Sequence, residues 1–242
     1  MEWRDEGVLL SVSRHGESSA IINVFTSTYG RHAGLVRGGG SRRLTPILQP
    51  GAQLAVHWNA RLDNHLGAFT VEPVHSRTGL LADSARLAAL NSVTALSMFC
   101  LSEREAHPRF YDQTMSFLER LELMPDWPAH YIGWELDLLE VLGFGLDIAS
   151  CAVTGERTDL IYVSPKSGRA VSAAAGKDWA DRLLVLPPFL RPDAGETPIS
   201  AKDLTDGLDL TGYFLRHRVC PAMAKDSLPP ARERLERAFR RF

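Results

Sequence analysis

From Gly7 to Ser13 apolar and polar positions alternate, with Val8, Leu10 and Val12 in phase. A period of two puts such residues on one face of a strand, with their neighbours toward solvent. Ala20 to Phe25 forms a second run that ends at the turn signal Tyr29-Gly30, and Arg31 to Val36 follows it. Leu54, Val56 and Trp58 alternate again, and Ala68 to Val71 precedes Pro73. Five short strands with no helical period between them fit a small, partly open barrel of the OB type, and an SH3-like barrel fits nearly as well. The stretch from Gly38 to Pro50 is long, glycine-rich and basic where a barrel loop could be short. Its three consecutive glycines predict a mobile loop that allows close backbone approach.

After Pro73 the period lengthens. Leu87, Leu90, Val93, Leu96 and Cys100 step by three and four, predicting one helix that ends near His107-Pro108. Tyr111, Met115, Leu118 and Leu121 predict a second, closed by Pro125. Asp126 offers an N-cap and Pro128 a first-turn proline to a third, whose two apolar stripes (Tyr131, Trp134, Leu138, Val141 and Ile132, Leu136, Leu139, Leu142) predict a central position in a bundle. Gly143-Phe144-Gly145 ends it as a C-cap; a dinucleotide reading fails because this Gly-x-Gly follows a helix and Ile148 stands where a small residue is needed. Ser200 with Asp203 starts a further helix, and Ser227 with Pro229 and Pro230 starts the last, where Leu235, Phe239 and Phe242 lie beside Arg232, Arg234, Arg237, Arg240 and Arg241.

Charge changes the picture more than composition does. The 242 residues are 45% hydrophobic and 23% charged, an ordinary globular balance, with a net charge of −2. That total conceals a basic head, with eight Arg against six carboxylates in residues 1–80, an acidic body, with 14 basic against 21 acidic residues in 81–226, and a basic tail of five Arg against two Glu. Between Glu17 and Asp63 there is no carboxylate, yet Arg31, Arg37, Arg42, Arg43 and Arg61 all fall there, three of them flanking Gly38-Gly39-Gly40. Guanidinium groups pair with phosphate oxygens in a bidentate fork, so this cluster predicts a phosphate-backbone binder with those five arginines as its nucleic-acid contacts. Phe25, Tyr29, Trp58 and Phe69 could stack bases but are expected in the core, and His15, His32, His57, His65 and His75, without metal-ligand spacing or carboxylate partners, are expected at the surface.

Cys151, Thr154, Ser172 and Ala175 stand at the spacing of a four-cysteine zinc ribbon, around a hairpin signal at Asp159 to Ser172. Thr, Ser and Ala cannot replace three thiolates, so a degenerate ribbon without metal is expected. Cys100 and Cys220 are too scattered for a disulfide framework and read as reduced. The opening residues lack a basic targeting segment and no run reaches the roughly 18 apolar residues of a membrane span, which predicts a cytoplasmic protein. Phosphate loops ending in Lys-Ser/Thr, His-Glu-x-x-His and Gly-x-Ser-x-Gly are all missing from the sequence, so the chain reads as a non-enzyme without catalytic residues or cofactors. A sequence-specific nucleic-acid-binding regulator, or an enzyme acting on nucleic acid through a dispersed site, are the alternatives.

The strands Gly7 to Phe25, the stretch Arg31 to Pro50, Trp134 to Gly145, the knuckle Cys151-Ala152-Val153-Thr154-Gly155, and Tyr162 to Val171 followed by Leu183 to Leu190 together resemble the bacterial recombination mediator family RecO. The resemblance implies an α+β multidomain fold: an N-terminal OB-fold β-barrel (1–78), an α-helical domain (79–150 and 177–242) and a small degenerate zinc-ribbon-like insertion (151–176). It implies a nucleoid-associated role in DNA repair and homologous recombination, in which the protein binds single- and double-stranded DNA, anneals complementary strands and, with RecR, helps load RecA onto DNA coated by single-strand-binding protein. The acidic C-terminal tail of single-strand-binding protein is a further implied partner of the helical domain. Arg104, Arg109 and Lys177 are candidates for the rim of its groove.

Overall fold

The computed structural model describes residues 1–62, 65–195 and 198–240. Asp63 and the tail residues Arg241 and Phe242 lie outside them. Two compact units are present, one of Met1–Glu122 with Pro229–Arg232, the other of Leu123–Leu228 with Glu233–Phe242.

In the first unit β1 (Glu2–His15), β2 (Ser19–Thr26), β3 (Gly30–Val36), β4 (Gln53–Asn59) and β5 (Ala68–His75) close a barrel in the order β1-β2-β3-β5-β4. The strand β1 serves two neighbours, pairing with β4 from Glu2 to Val8 and with β2 from Gly7 to His15. A bulge between Leu9 and Ser11 bends it between the two, as one extra residue in a ladder does. The short parallel contact Leu35↔Ala68 joins β3 to β5 and closes the ring, so the barrel is closed where the sequence predicts it partly open. Leu9, Ile22, Val24, Leu54, Val56, Trp58 and Phe69 fill its interior from alternate positions, as a period of two requires.

Two helices complete this unit, α1 (Ser84–Cys100) and α2 (Pro108–Leu123). Asp83 caps α1, its carboxylate accepting from the amides of Ala85 (2.9 Å) and Arg86 (3.1 Å), a device that contributes about 1 kcal/mol. The helix stops at Cys100, one turn and more before the His107-Pro108 boundary read from sequence, because Leu101 turns extended and the following segment bridges back to the barrel at Arg31↔Glu103. By compactness the first unit thus runs on to Glu122 and takes in both helices. The rings of Phe110 and Tyr111 on α2 meet Phe25 of β2 (6.0 and 5.4 Å), and buried Arg77 donates to the Gly51 carbonyl (2.7 Å) while facing Glu122 of α2 (3.5 Å).

The second unit is built on α3 (Trp127–Val141) and α5 (Ala201–Phe214), with a three-stranded sheet β7-β6-β8 formed by β6 (Leu160–Val163), β7 (Ala170–Ser172) and β8 (Leu184–Val185), and the short helices α4 (Ala173–Gly176) and α6 (Cys220–Ala222). Both stripes of α3 are occupied by buried residues, including Tyr131, Ile132, Trp134, Leu138 and Leu139. Between them Glu135 is fully buried, accepting from Tyr131 Oη (2.7 Å) and Thr211 Oγ1 (2.5 Å) of α5. Asp126 precedes α3 as expected but does not cap it; its carboxylate meets His130 one turn on (3.2 Å). Ser200 and Asp203 form the full reciprocal capping box of α5. In α7 (Pro230–Phe239) Leu235 and Phe239 are buried as read, but Arg232 is buried too, and Arg240 just beyond pairs with Glu236 (3.2 Å) and Asp209 (3.4 Å). No described helix is long and apolar enough to cross a membrane.

Candidate nucleic-acid interface

Two loops meet at the end of the barrel where β3 finishes, and the last residue of a third reaches them. The Gly40 amide donates to the Ser18 carbonyl (3.0 Å), tying the basic loop after β3 to the β1–β2 turn, and the Leu35 amide donates to Gly67 (3.1 Å), tying on the β4–β5 connection. Arg37, Arg42 and Arg43 are exposed on the first of these loops; Arg61 is exposed too, but it follows Ala60, whose amide donates to the Met1 carbonyl (3.0 Å), and so starts from the opposite end of the barrel, where Trp3 stacks on Tyr29 just before β3. Arg14 joins Arg37, Arg42 and Arg43, exposed at the end of β1 opposite Ala20, which is itself paired with Val36. Sequence reasoning missed Arg14 because it falls before Glu17, outside the carboxylate-free window. Its place in the strand-to-turn junction is the signal that could have found it.

The basic loop is not the unstructured hinge that three glycines suggest. Consecutive turns fold it, with amide bonds from Ser41 to Gly38 (2.9 Å), Thr45 to Ser41 (3.0 Å) and Leu48 to Leu44 (2.9 Å), and Leu48 is buried in the barrel core. Gly38 takes φ 70°, a left-handed turn position. A Cβ on Gly39 would stand 2.7 Å from that of Ala20, so glycine there permits close packing against β2. The arginines are thus carried on a built rim.

Arg31 does not belong to this group. It opens β3 while Arg37 follows its end, six residues on and roughly 20 Å away along a strand. Its Nε donates to the Leu101 carbonyl (2.8 Å) and its Nη1 to Asn23 Oδ1 (3.2 Å), which fastens the segment after α1 to the barrel. Arg104 is likewise occupied on the barrel, donating to the His65 carbonyl (2.9 Å) with its guanidinium 6.0 Å from the Trp58 ring centre. Arg109 is exposed at the start of α2, and Lys177 is exposed after α4 in the other unit.

The sheet face beside the rim carries Ser13, Ile21 and Leu35 in one row and Asn23 and Ala33 in the next, with no aromatic side chain. Phe25, Trp58 and Phe69 are buried, and half-buried Tyr29 stacks on Trp3 (4.1 Å, 13°). His32, expected at the surface, is buried edge-on to Trp3 and Trp58 (5.1 and 4.8 Å), while His57 and His75 do have carboxylate partners, Glu2 (2.7 Å) and Glu122 (2.8 Å). Such a surface can hold a polyanion by charge and offers no ring on which bases would stack.

In the second unit the ribbon positions converge in part. Ser172 donates to Cys151 through its amide (3.3 Å), and the two side chains meet at 3.5 Å. Burial raises the Cys151 thiol, but hydrogen bonds from Thr154 and Ser172 outweigh it and bring the pKa down to about 6. Ala175 offers no donor atom, so these four positions do not make a tetrahedral metal site.

Comparison with known proteins places both parts of the chain. Residues 1–77 match the family model for the N-terminal domain of recombination protein O, and residues 81–225 that for its C-terminal domain. The DNA repair protein RecO of Cereibacter sphaeroides (strain ATCC 17029) is 56% identical over 235 residues, 97% of each chain. Those of Roseobacter denitrificans and Ruegeria sp. are 53% and 50% identical over 242 residues, the whole of this chain and 99% of each relative.

Proposed function

The chain belongs to the RecO family of DNA repair proteins, with an N-terminal OB-fold domain followed by a helical one, and we propose that it acts in repair by holding DNA strands without catalysing a reaction on them. The observation that carries this reading is the rim of Arg14, Arg37, Arg42 and Arg43 at the end of the barrel where β3 finishes, four guanidinium groups with Glu17 as the carboxylate on the adjoining turn. The loops there border the strand-binding face of an OB fold. Neutralising the phosphates of single- or double-stranded DNA releases counterions and lowers the repulsion between complementary strands, so annealing proceeds with no active site. On this reading the barrel, residues 1–78, supplies the grip. RecR and the tail of single-strand-binding protein are the partners through which the protein brings RecA onto coated DNA.

The test is the salt dependence of oligonucleotide binding by the full chain and by the variant Arg37→Ala/Arg42→Ala/Arg43→Ala. Three lost phosphate contacts lower the slope of log affinity against log salt by about 2 to 3, and annealing of DNA precoated with single-strand-binding protein slows in parallel. An unchanged slope would remove these arginines from the interface.

A further inference from the structure

The second unit contains a cleft that the barrel's DNA-holding role does not use. One wall is the end of α3. Gly143, at φ 80°, donates to Glu140 (3.0 Å) and Phe144 to Leu139 (2.8 Å), a Schellman turn that leaves the Gly143 Cα facing open space. The opposite wall is the β6–β7 turn, closed by the Gly168 amide on the Ser164 carbonyl (2.8 Å), and the floor includes Phe144, Leu146 and Phe214. The cleft measures about 240 Å³. Its charged lining residues are both cations, Lys166 and Arg218, in the stretch of chain where acids outnumber bases 21 to 14. Asp147, next in sequence to the wall, is already paired with Arg169 (3.1 Å).

Arg218 is held in place before any ligand arrives. It stands on a π-helical turn, Leu215–Val219, the kind of irregularity that tends to mark functional positions in helices. Its Nη2 donates to the carbonyls of Pro165 (3.3 Å) and Lys166 (2.7 Å). A guanidinium has five N–H donors, so this anchoring leaves the Nε and Nη1 N–H groups for an anion.

We propose that this cleft binds the sugar–phosphate backbone of a DNA strand, giving the chain a second strand-holding site besides the barrel rim. Size favours a segment of a polymer over a free ligand. Pockets for whole small molecules run to about 300–1,000 Å³, whereas this one suits a single nucleotide of a longer strand. The anchored Arg beside a Lys matches a phosphate, the glycine wall admits a backbone closely, and the phenylalanines offer the sugar or base an apolar surface. Annealing needs two strands held at once, and a second phosphate site supplies the other grip. The inference rests on the DNA-binding reading above.

Two full-length variants test it, Lys166→Ala/Arg218→Ala and Ser167→Glu; the second places a negative charge at the cleft and keeps both Arg218 and the carbonyls that hold it, giving up the long bond from the Arg169 amide to Ser167 Oγ (3.4 Å). Salt-dependent binding of single-stranded oligothymidylate and the annealing rate are measured for both, with binding of a synthetic acidic peptide ending in a free carboxylate as the comparison. The double variant is expected to lose about 1.4 from the log–log slope, two contacts at about 0.7 each on a single strand, and both variants to anneal about tenfold more slowly. Unchanged slope and annealing in both overturn the proposal. Loss of peptide binding with intact oligonucleotide binding also overturns it and assigns the cleft to a protein tail. If the barrel variant loses slope while the cleft variants do not, only this inference fails; if the unsubstituted protein ignores oligonucleotides at low salt, the DNA-binding reading fails with it.

Discussion

Gly30 shows how much of a residue's reason for being lies outside its neighbourhood. In the sequence it is half of a Tyr-Gly turn signal, which accounts for its φ of 64°. What demands glycine more strongly is the later segment: a Cβ there would stand 2.0 Å from the carbonyl oxygen of Glu105. Gly30→Ala combines left-handed backbone strain with a backbone clash and is expected to cost about 2 kcal/mol or more, read as a fall in the urea midpoint with an unchanged m-value. His32 teaches the converse. The alternation of β3 puts it in phase with Gly30, Gly34 and Val36, all buried, so its inward direction was legible and only its polarity argued for the surface. Its partners Trp3 and Trp58 come from β1 and β4, distances along the chain that no local pattern spans.

At the scale of elements, strands and helix caps were readable because their signals are local. All five barrel strands, the Gly143 C-cap and the Ser200–Asp203 box lie where period and capping chemistry put them. The basic loop and the end of α1 were not, because tertiary contacts decide both: Leu48 buries itself in the barrel, and the Leu101 and Glu103 segment pairs with Arg31. The same contact separates Arg31 from Arg37, Arg42 and Arg43 among the predicted DNA-binding arginines. Arg31→Ala removes two hydrogen bonds from a charged donor, each worth about 1.5–3 kcal/mol where buried and less here because the site is only half-buried. The expected outcome is a clear loss in the urea midpoint with the salt slope of DNA binding unchanged, the reverse of the Arg37/Arg42/Arg43 variant. A drop in slope equal to one phosphate contact, about 0.7 to 0.9, would return Arg31 to the interface.

For the whole molecule, a net charge of −2 gives no hint of affinity for a polyanion; only the uneven distribution along the chain does. The structure sharpens that unevenness, since Arg31, Arg77 and Arg240 are spent on internal partners while the rim arginines face solvent. Those rim arginines sit on loops, the barrel's large rings are buried or stacked on one another, and α1, α2 and α3 each turn an apolar face into a core. Reading base edges requires a helix or ribbon that enters a groove, or rings that take up splayed bases, and the barrel interface provides neither. Affinity should therefore be nearly independent of sequence. Oligonucleotides of equal length and unrelated composition, titrated at one salt concentration, are expected to bind within about threefold of one another, far from the 10³-fold or greater preference of a specific regulator. A preference of that size for any one sequence would mean that bases are being read, and would replace a strand-holding role with a regulatory one.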